Sequence, residues 1–399
     1  MTERIYYSDP SCRAFGALVA RSFERNGCPA VVLDRTAFYP SSGGQPYDTG
    51  WLDSIDVVET IDDGDDVVHV VASPIAQGIR VRGEIDWVRR FDHMQQHTGQ
   101  HILSAAFDRL FENRTTSFHM GDEIATIDLA REMAPAEIDR AVEEANHIVW
   151  DDRPVSIRFV SDAEATRLPL RKEPVRSGTL RLIEIEDFDL SACGGTHVAR
   201  TGAIGTIAVV ATERFKGGMR VAFVCGARAL KALRTYRDAV TGSVRLLSVL
   251  PQELPVAIER LQTEARELRK TAGRFQQSLA EHEAVRLLDA AEDVGGRHIV
   301  VEAFQGWDAQ GLKAIASAFL GRSLGEGGSR PINAALFSDS SPAFVVVACA
   351  PGGDASGVLR QLTARFGGRG GGRADLAQGG GLTGSLEEMK AAARALLLA

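Results

Sequence analysis

Two pairs of metal-binding side chains limit what this chain can fold into. In HTGQH, His97 and His101 stand four residues apart; in SACGGTHVAR, Cys193 and His197 do the same around two glycines. On a helix, positions i and i+4 lie about 40° apart around the axis and one turn apart along it, so both imidazoles reach one ion. Gly194 and Gly195 let the second stretch fold back as a tight loop. Three nitrogens and one thiolate form a borderline-soft tetrahedral set that suits zinc. The fold must therefore carry a helix and a strand-following loop to one point.

The flanking patterns supply those elements. Up to residue 88 the chain reads as short strands, VVLDRTAFYP, DSIDVVET, VVHVV and IRVRGEIDW (79–87), forming a small β-barrel domain. In the last of these Ile79, Val81, Ile85 and Trp87 alternate with polar residues. The acidic run IDDGDDVVH is a hairpin turn at Asp63-Gly64 rather than a calcium site. From 89 to 111 the period becomes helical, with Phe91, Met94, Ile102, Ala105, Ala106 and Leu110 on one face and Asp92 as N-cap. A second helix is expected over 135–150, with strands LRLIEIE, IGTIAVVA and MRVAFVC after it. Residues 89–250 thus form an α+β domain, and 251–292 a helical connector. In that connector Ile258, Leu261, Ala265, Leu268, Ala272, Phe275, Leu279 and His282 recur in a coiled-coil-like seam. It is expected to pair with a second copy, giving a homodimer through the C-terminal region, or to fold onto its own subunit. Residues 293–399 alternate strand and helix, an α/β domain. The fold class is α+β multidomain.

Bulk properties narrow the classes. With 44% hydrophobic and 25% charged residues among 399, and a longest apolar run (AFVVVACA) far too short to span a bilayer, the chain is expected to be soluble, cytoplasmic and without a membrane partner. Its five scattered cysteines fit a reducing compartment. A net charge of −8 argues against indiscriminate nucleic-acid binding, but RLPLRKEPVRSGTLR (167–181) carries five basic residues against one Glu. That stretch is either a solvated loop or a rim for phosphates.

Chemistry sharpens the metal reading. A zinc peptidase would place Glu directly after the first His, where this chain has Thr98. Four protein ligands also fill a tetrahedral shell, whereas hydrolytic zinc usually keeps a position for water. The ion either positions a substrate, accepts a fifth ligand or is architectural.

Four motifs then point to a family. MQQHTGQHIL (94–103) with SACGGTHVARTGAIG (191–205) resembles the editing domain of alanyl-tRNA synthetases and the large form of the stand-alone alanyl-tRNA editing proteins. FYPSSGGQPYDTG (38–50) resembles that family's glycine motif, and RGGGRADLAQGGG (369–381) its C-terminal glycine-rich signature. The resemblance implies a trans-editing hydrolase that deacylates seryl- and/or glycyl-tRNA(Ala), spares the alanyl ester and has no aminoacylation activity. It implies zinc on His97, His101, Cys193 and His197. It makes Thr116 and Ser117, in TTSFHMG, candidates for contacting the amino acid or placing the attacking water. Gly43 and Gly44 are implied to handle small amino acids, and Arg220 to meet the tRNA acceptor end or pair with a carboxylate. His93, His119 and Cys225 read as structural. In the C-terminal domain, eight glycines among residues 367–381, with Arg369 and Arg373, form either a phosphate cradle for tRNA or a closely packed loop. The alternative function is a non-catalytic, zinc-stabilised tRNA-binding module. A phosphoesterase sharing the C-terminal domain is disfavoured, because Asp92-His93-Met94 breaks the Asp-His-His motif.

Overall fold

The computed structural model describes residues 1–171, 178–323 and 331–399. Lys172 to Ser177, the centre of the basic stretch, lie outside the described residues. The chain divides into two compact units, Met1–Ser243 and Val244–Ala399, within a mixed α/β multidomain architecture. No helix among the described residues is long and apolar enough to cross a membrane.

The first unit begins with a closed barrel of six strands: Ala14–Arg25, Cys28–Leu33, Asp66–Val71, Ile55–Asp63, Gly50–Leu52 and Arg80–Ile85, in that spatial order. Alternate residues such as Val19, Leu33, Leu52, Val57 and Val81 point inward and form its core. The Asp63↔Asp66 pairing leaves Gly64 and Asp65 as a two-residue loop, and Gly64 takes the positive φ (70°) that such a turn needs. The last strand is shorter than its alternation suggests: Ile79 is exposed, and Trp87 already belongs to the next helix, stacked on Phe91.

That helix, α1, spans Trp87–Phe111. Its N-cap is Asp86, whose carboxylate accepts from the Arg89 N–H, and not Asp92 as the pattern suggested. Asp92 lies a turn inside and grips Arg228 through both oxygens (2.9 and 2.7 Å). The polar run QQHTGQH is fully inside the protein, which is possible only because its groups find partners. Gln96, for example, accepts from the Cys225 N–H (2.8 Å) and donates to the Cys225 carbonyl (3.1 Å).

Beneath α1 lies a four-stranded antiparallel sheet (Ile207–Phe215, Gly218–Cys225, Ala125–Leu129, Thr115–Met120) with helix Pro135–Trp150 beside it. A three-stranded sheet, Val155–Ser161, Thr179–Ile185 and Asp189–Ala192, ends in the cysteine loop. Arg90 joins the barrel to α1. Wholly buried, it pairs with Asp48 and donates to the carbonyls of Ala37 and Pro10, while Asp48 also accepts from the Tyr39 N–H (2.6 Å). Helix Gly226–Leu247 had no counterpart in the sequence reading.

The second unit is a six-stranded sheet with helices on both faces. Helix Leu254–Asp289 turns Ala280, Ala284 and Leu287 to this core. The heptad seam does not take that place: Ile258, Leu261, Leu268 and Phe275 are exposed. The glycine-rich tail is likewise no loop. Arg369–Gly372 and Leu376–Leu382 pair as antiparallel strands, and a Cβ at Gly370 would sit 2.4 Å from the Gln378 carbonyl oxygen. Close strand approach explains these glycines.

Candidate metal centre

The regular i, i+4 spacing on α1 stacks His97 above His101, with ring centroids 5.5 Å apart. The loop after Ala192 returns His197 to 4.5 Å from the His97 ring and 4.8 Å from that of His101. Cys193 completes the group. Its sulfur lies 3.4 Å from Nε2 of His97 and 3.3 Å from Nε2 of His197. One ligand atom from each of the four residues lies within 4.8 Å of the others. Ligands on a tetrahedral zinc sit about 3.3–3.7 Å from one another, given bonds of ~2.0–2.3 Å. The donor set fits such an ion, as do the 3.4 and 3.3 Å spacings from the sulfur to Nε2 of His97 and His197.

The loop has the residues needed to reach this point. A Cβ on Gly195 would lie 2.1 Å from Cε1 of His97, so a side chain there would displace a ligand. Arg181 lies buried beneath the loop. Its guanidinium donates to the carbonyls of Cys193 (2.7 Å) and Gly195 (2.9 Å), and its Nε to that of Tyr7 (2.8 Å). Arg181 therefore does not belong to a phosphate rim. Arg171 bonds Asp189 at 2.6 Å and lines the cavity beside the cluster.

Each histidine has its Nδ1 held by a second residue, which leaves Nε2 toward the cluster. His97 faces Oε1 of Gln45 (2.8 Å), His101 a carboxylate oxygen of Asp189 (3.0 Å) and His197 the hydroxyl of Thr98 (3.2 Å). From sequence Thr98 is notable only as standing where a zinc peptidase carries Glu, and Gln45 and Asp189 are not singled out. The three partners lie 52, 88 and 99 residues from the ring they hold, so no local spacing announces them.

Electrostatics follow from this packing. Burial disfavours a charged His101, but hydrogen bonds to Asp189 and Cys193 outweigh it and bring its pKa up to about 9. Burial also opposes a Cys193 thiolate, yet the surrounding His97 and His197 hold its pKa well below the usual thiol value. Burial brings His197 down to about 3. His93, one turn earlier, is buried with Nδ1 unpartnered among the described residues, and desolvation lowers it to about 3 as well.

His97, His101 and Cys193 of the cluster form one wall of a cavity of about 210 Å³. Thr116 and Ser117 line it, as does Gly43. The strand carrying the hydroxyls has a bulge: Asp128 faces Ser117 and Leu129 faces Thr115, leaving Thr116 as the extra residue. Thr116 donates its hydroxyl to the Asp128 carbonyl (3.1 Å), whereas the Ser117 hydroxyl has no partner among the described residues. Gly44 does not line the cavity. It packs against Phe118, and its carbonyl accepts from the Met120 N–H (3.1 Å). Arg220 is also away from the cavity, held by both oxygens of Asp128 (2.7 and 3.0 Å) and stacked on Phe215. His119 is exposed and outside the cluster, and Cys225 is core.

Residues 180–221 match the threonyl and alanyl tRNA synthetase second additional domain, residues 15–89 the class II (A) tRNA synthetases and residues 296–399 the DHHA1 domain. The alanine–tRNA ligase of Pyrococcus abyssi is 32% identical over 95% of this chain, and that of Natronomonas pharaonis 36% over 95%. The chain spans only 42% of the length of each. The alanyl-tRNA editing protein AlaX-L of Pyrococcus horikoshii is 32% identical over 95% of this chain and 94% of its own length. The chain belongs to the alanyl-tRNA editing protein family.

Proposed function

We propose that this protein hydrolyses the ester of mischarged tRNA(Ala), seryl- and/or glycyl-, in trans, with zinc held by His97, His101, Cys193 and His197. The observation that carries the reading is the Ser117 hydroxyl, without a partner among the described residues, in a cavity lined by His97, His101 and Cys193 of the four-residue cluster. The family match to AlaX-L, which covers nearly the whole of both chains, supports editing as the activity.

An aminoacyl ester is already activated, so the site needs a placed water and little else. Zinc, when bound, would supply a fixed positive charge that orients the terminal ribose or the aminoacyl group. Ser117 holds the attacking water against the ester carbonyl. Thr116 is committed to the strand and shapes the wall. Gly43 presents bare backbone to the substrate, so the cavity admits small side chains. Selectivity against alanine comes from polar groups that a serine hydroxyl satisfies and a methyl leaves unpaired. We assign Gly44 and Arg220 supporting parts, through Phe118 and Asp128 respectively. The organisation that serves this is a barrel (1–88), an editing domain (89–250), a helical connector (251–292) and a tRNA-binding or dimerisation domain (293–399). The exposed seam at Ile258, Leu261, Leu268 and Phe275 supports a homodimer.

A second reading draws on the four-ligand shell, which is typical of structural zinc. In it the protein binds tRNA without catalysis. A deacylation assay of wild type and Ser117→Ala separates the two: the first reading expects turnover slowed by about 100-fold in the variant, the second expects none in either.

A further inference from the structure

One side chain ties the glycine loop of the barrel to both halves of the metal cluster. Gly43 and Gly44, at φ 57° and 85°, turn the chain so that Ser42 and Gln45 pair across a narrow bridge. Gln45 then reaches inward and is 2% exposed. Its Oε1 accepts from the Thr196 backbone N–H at 3.0 Å, and its Nε2 donates to the Thr196 hydroxyl at 2.8 Å. A backbone N–H can only donate, so the orientation of the amide is settled without seeing its hydrogens. The same Oε1 lies 2.8 Å from Nδ1 of His97. Nδ1 must therefore carry the ring proton, and the lone pair falls on Nε2, which faces the Cys193 sulfur at 3.4 Å.

We infer that Gln45 is a positioning residue that locks His97 in its metal-binding tautomer and makes the glycine wall of the pocket depend on metal occupancy. The inference rests on the metal reading above. Gln45 holds His97 on α1 and Thr196 beside His197, so an ion that fixes those ligands also fixes the loop bearing Gly43. Coupling of this kind is reciprocal: whatever orders the loop also favours the ion. Two further bonds anchor the loop, from the Tyr39 hydroxyl to the Ser42 carbonyl (3.0 Å) and from the Met120 N–H to the Gly44 carbonyl (3.1 Å). Neither involves a metal ligand.

The test uses the full chain with Gln45→Leu and Gln45→Glu. Cobalt(II) absorption reports the ligand set, chelator competition reports zinc affinity, and hydrogen exchange over residues 40–47 reports the loop. Leu removes all three side-chain hydrogen bonds and is expected to weaken zinc binding by about 10–100-fold. It should also abolish metal-dependent protection of the loop, while α1 stays protected by metal. Glu keeps an acceptor for Nδ1 and should restore most of the affinity. If Gln45→Leu does not fold, Gln45→Asn, one methylene too short, takes its place against Glu. Unchanged affinity and unchanged loop protection in the Leu or Asn variant would overturn the inference. A wild-type chain that binds no ion would remove the metal reading itself, a failure visible before any variant is made.

Discussion

Asp189 accepts a hydrogen bond from Nδ1 of His101 at 3.0 Å while Arg171 holds its other oxygen at 2.6 Å. The carboxylate is buried, and burial raises its pKa, but His101 and Arg171 together hold it far below the usual carboxylate range. The pair fixes the ring of His101 in the direction that Nε2 needs. Asp189→Ala is therefore expected to lower zinc affinity by about 10–100-fold in a chelator competition, with a smaller loss for Arg171→Met. Equal affinity in wild type and Asp189→Ala would mean that the carboxylate has no part in holding the ligand.

Proton release should accompany metal binding. In the metal-free chain His101, at about 9, holds a proton at neutral pH, while His97 and His197 keep the Cys193 pKa well below the usual thiol value. An incoming divalent ion displaces that proton. Calorimetry in buffers of different ionisation heat should show about one proton released at pH 7, declining to none as pH passes about 9. Affinity rises across the same interval. The stability of the metal-free fold runs the other way: the raised pKa of His101 contributes stability fully present below about 6.5 and lost as pH climbs through about 9.

The two loop glycines should respond differently to a single methyl. Gly195→Ala places a Cβ 2.1 Å from Cε1 of His97 and should abolish metal binding. Gly194→Ala meets nothing closer than Tyr7 Cε1 at 3.9 Å and should be tolerated. Cobalt(II) spectra of both variants check this directly.

Arg90 and Asp48 are both fully buried, so removing one leaves the other charge uncompensated. Arg90→Met or Asp48→Ala should each cost about 3–5 kcal/mol in denaturant unfolding. The double variant should lose less than the sum of the single losses.

Part of this molecule was legible in the sequence. His97 and His101 announce themselves through helical geometry, and Cys193 with His197 through a glycine-bracketed loop, because each pair is local. Gln45, Asp189, Thr98 and Arg181 were not, because they act across long stretches of chain through tertiary packing. Asp92 misled for a related reason. Its type suits an N-cap, but Asp86 lies at the actual turn into α1, and a distant arginine, Arg228, claims Asp92. The heptad seam follows a period that implies a partner, while the buried face of the same helix is a short alanine-rich stripe that periodicity does not single out. In the C-terminal tail, glycine abundance suggested a phosphate cradle or a closely packed loop; the segment pairs as strands, whose close approach also requires glycine.

The measurement that tests the central claim most directly is deacylation of seryl-, glycyl- and alanyl-tRNA(Ala) by the purified chain, with and without chelator, beside Cys193→Ala. The account predicts loss of the seryl or glycyl ester that stops on metal removal and in the variant, with the alanyl ester spared. Persistence of all three esters while the tRNA still binds would contradict it and leave a metal-held tRNA-binding protein.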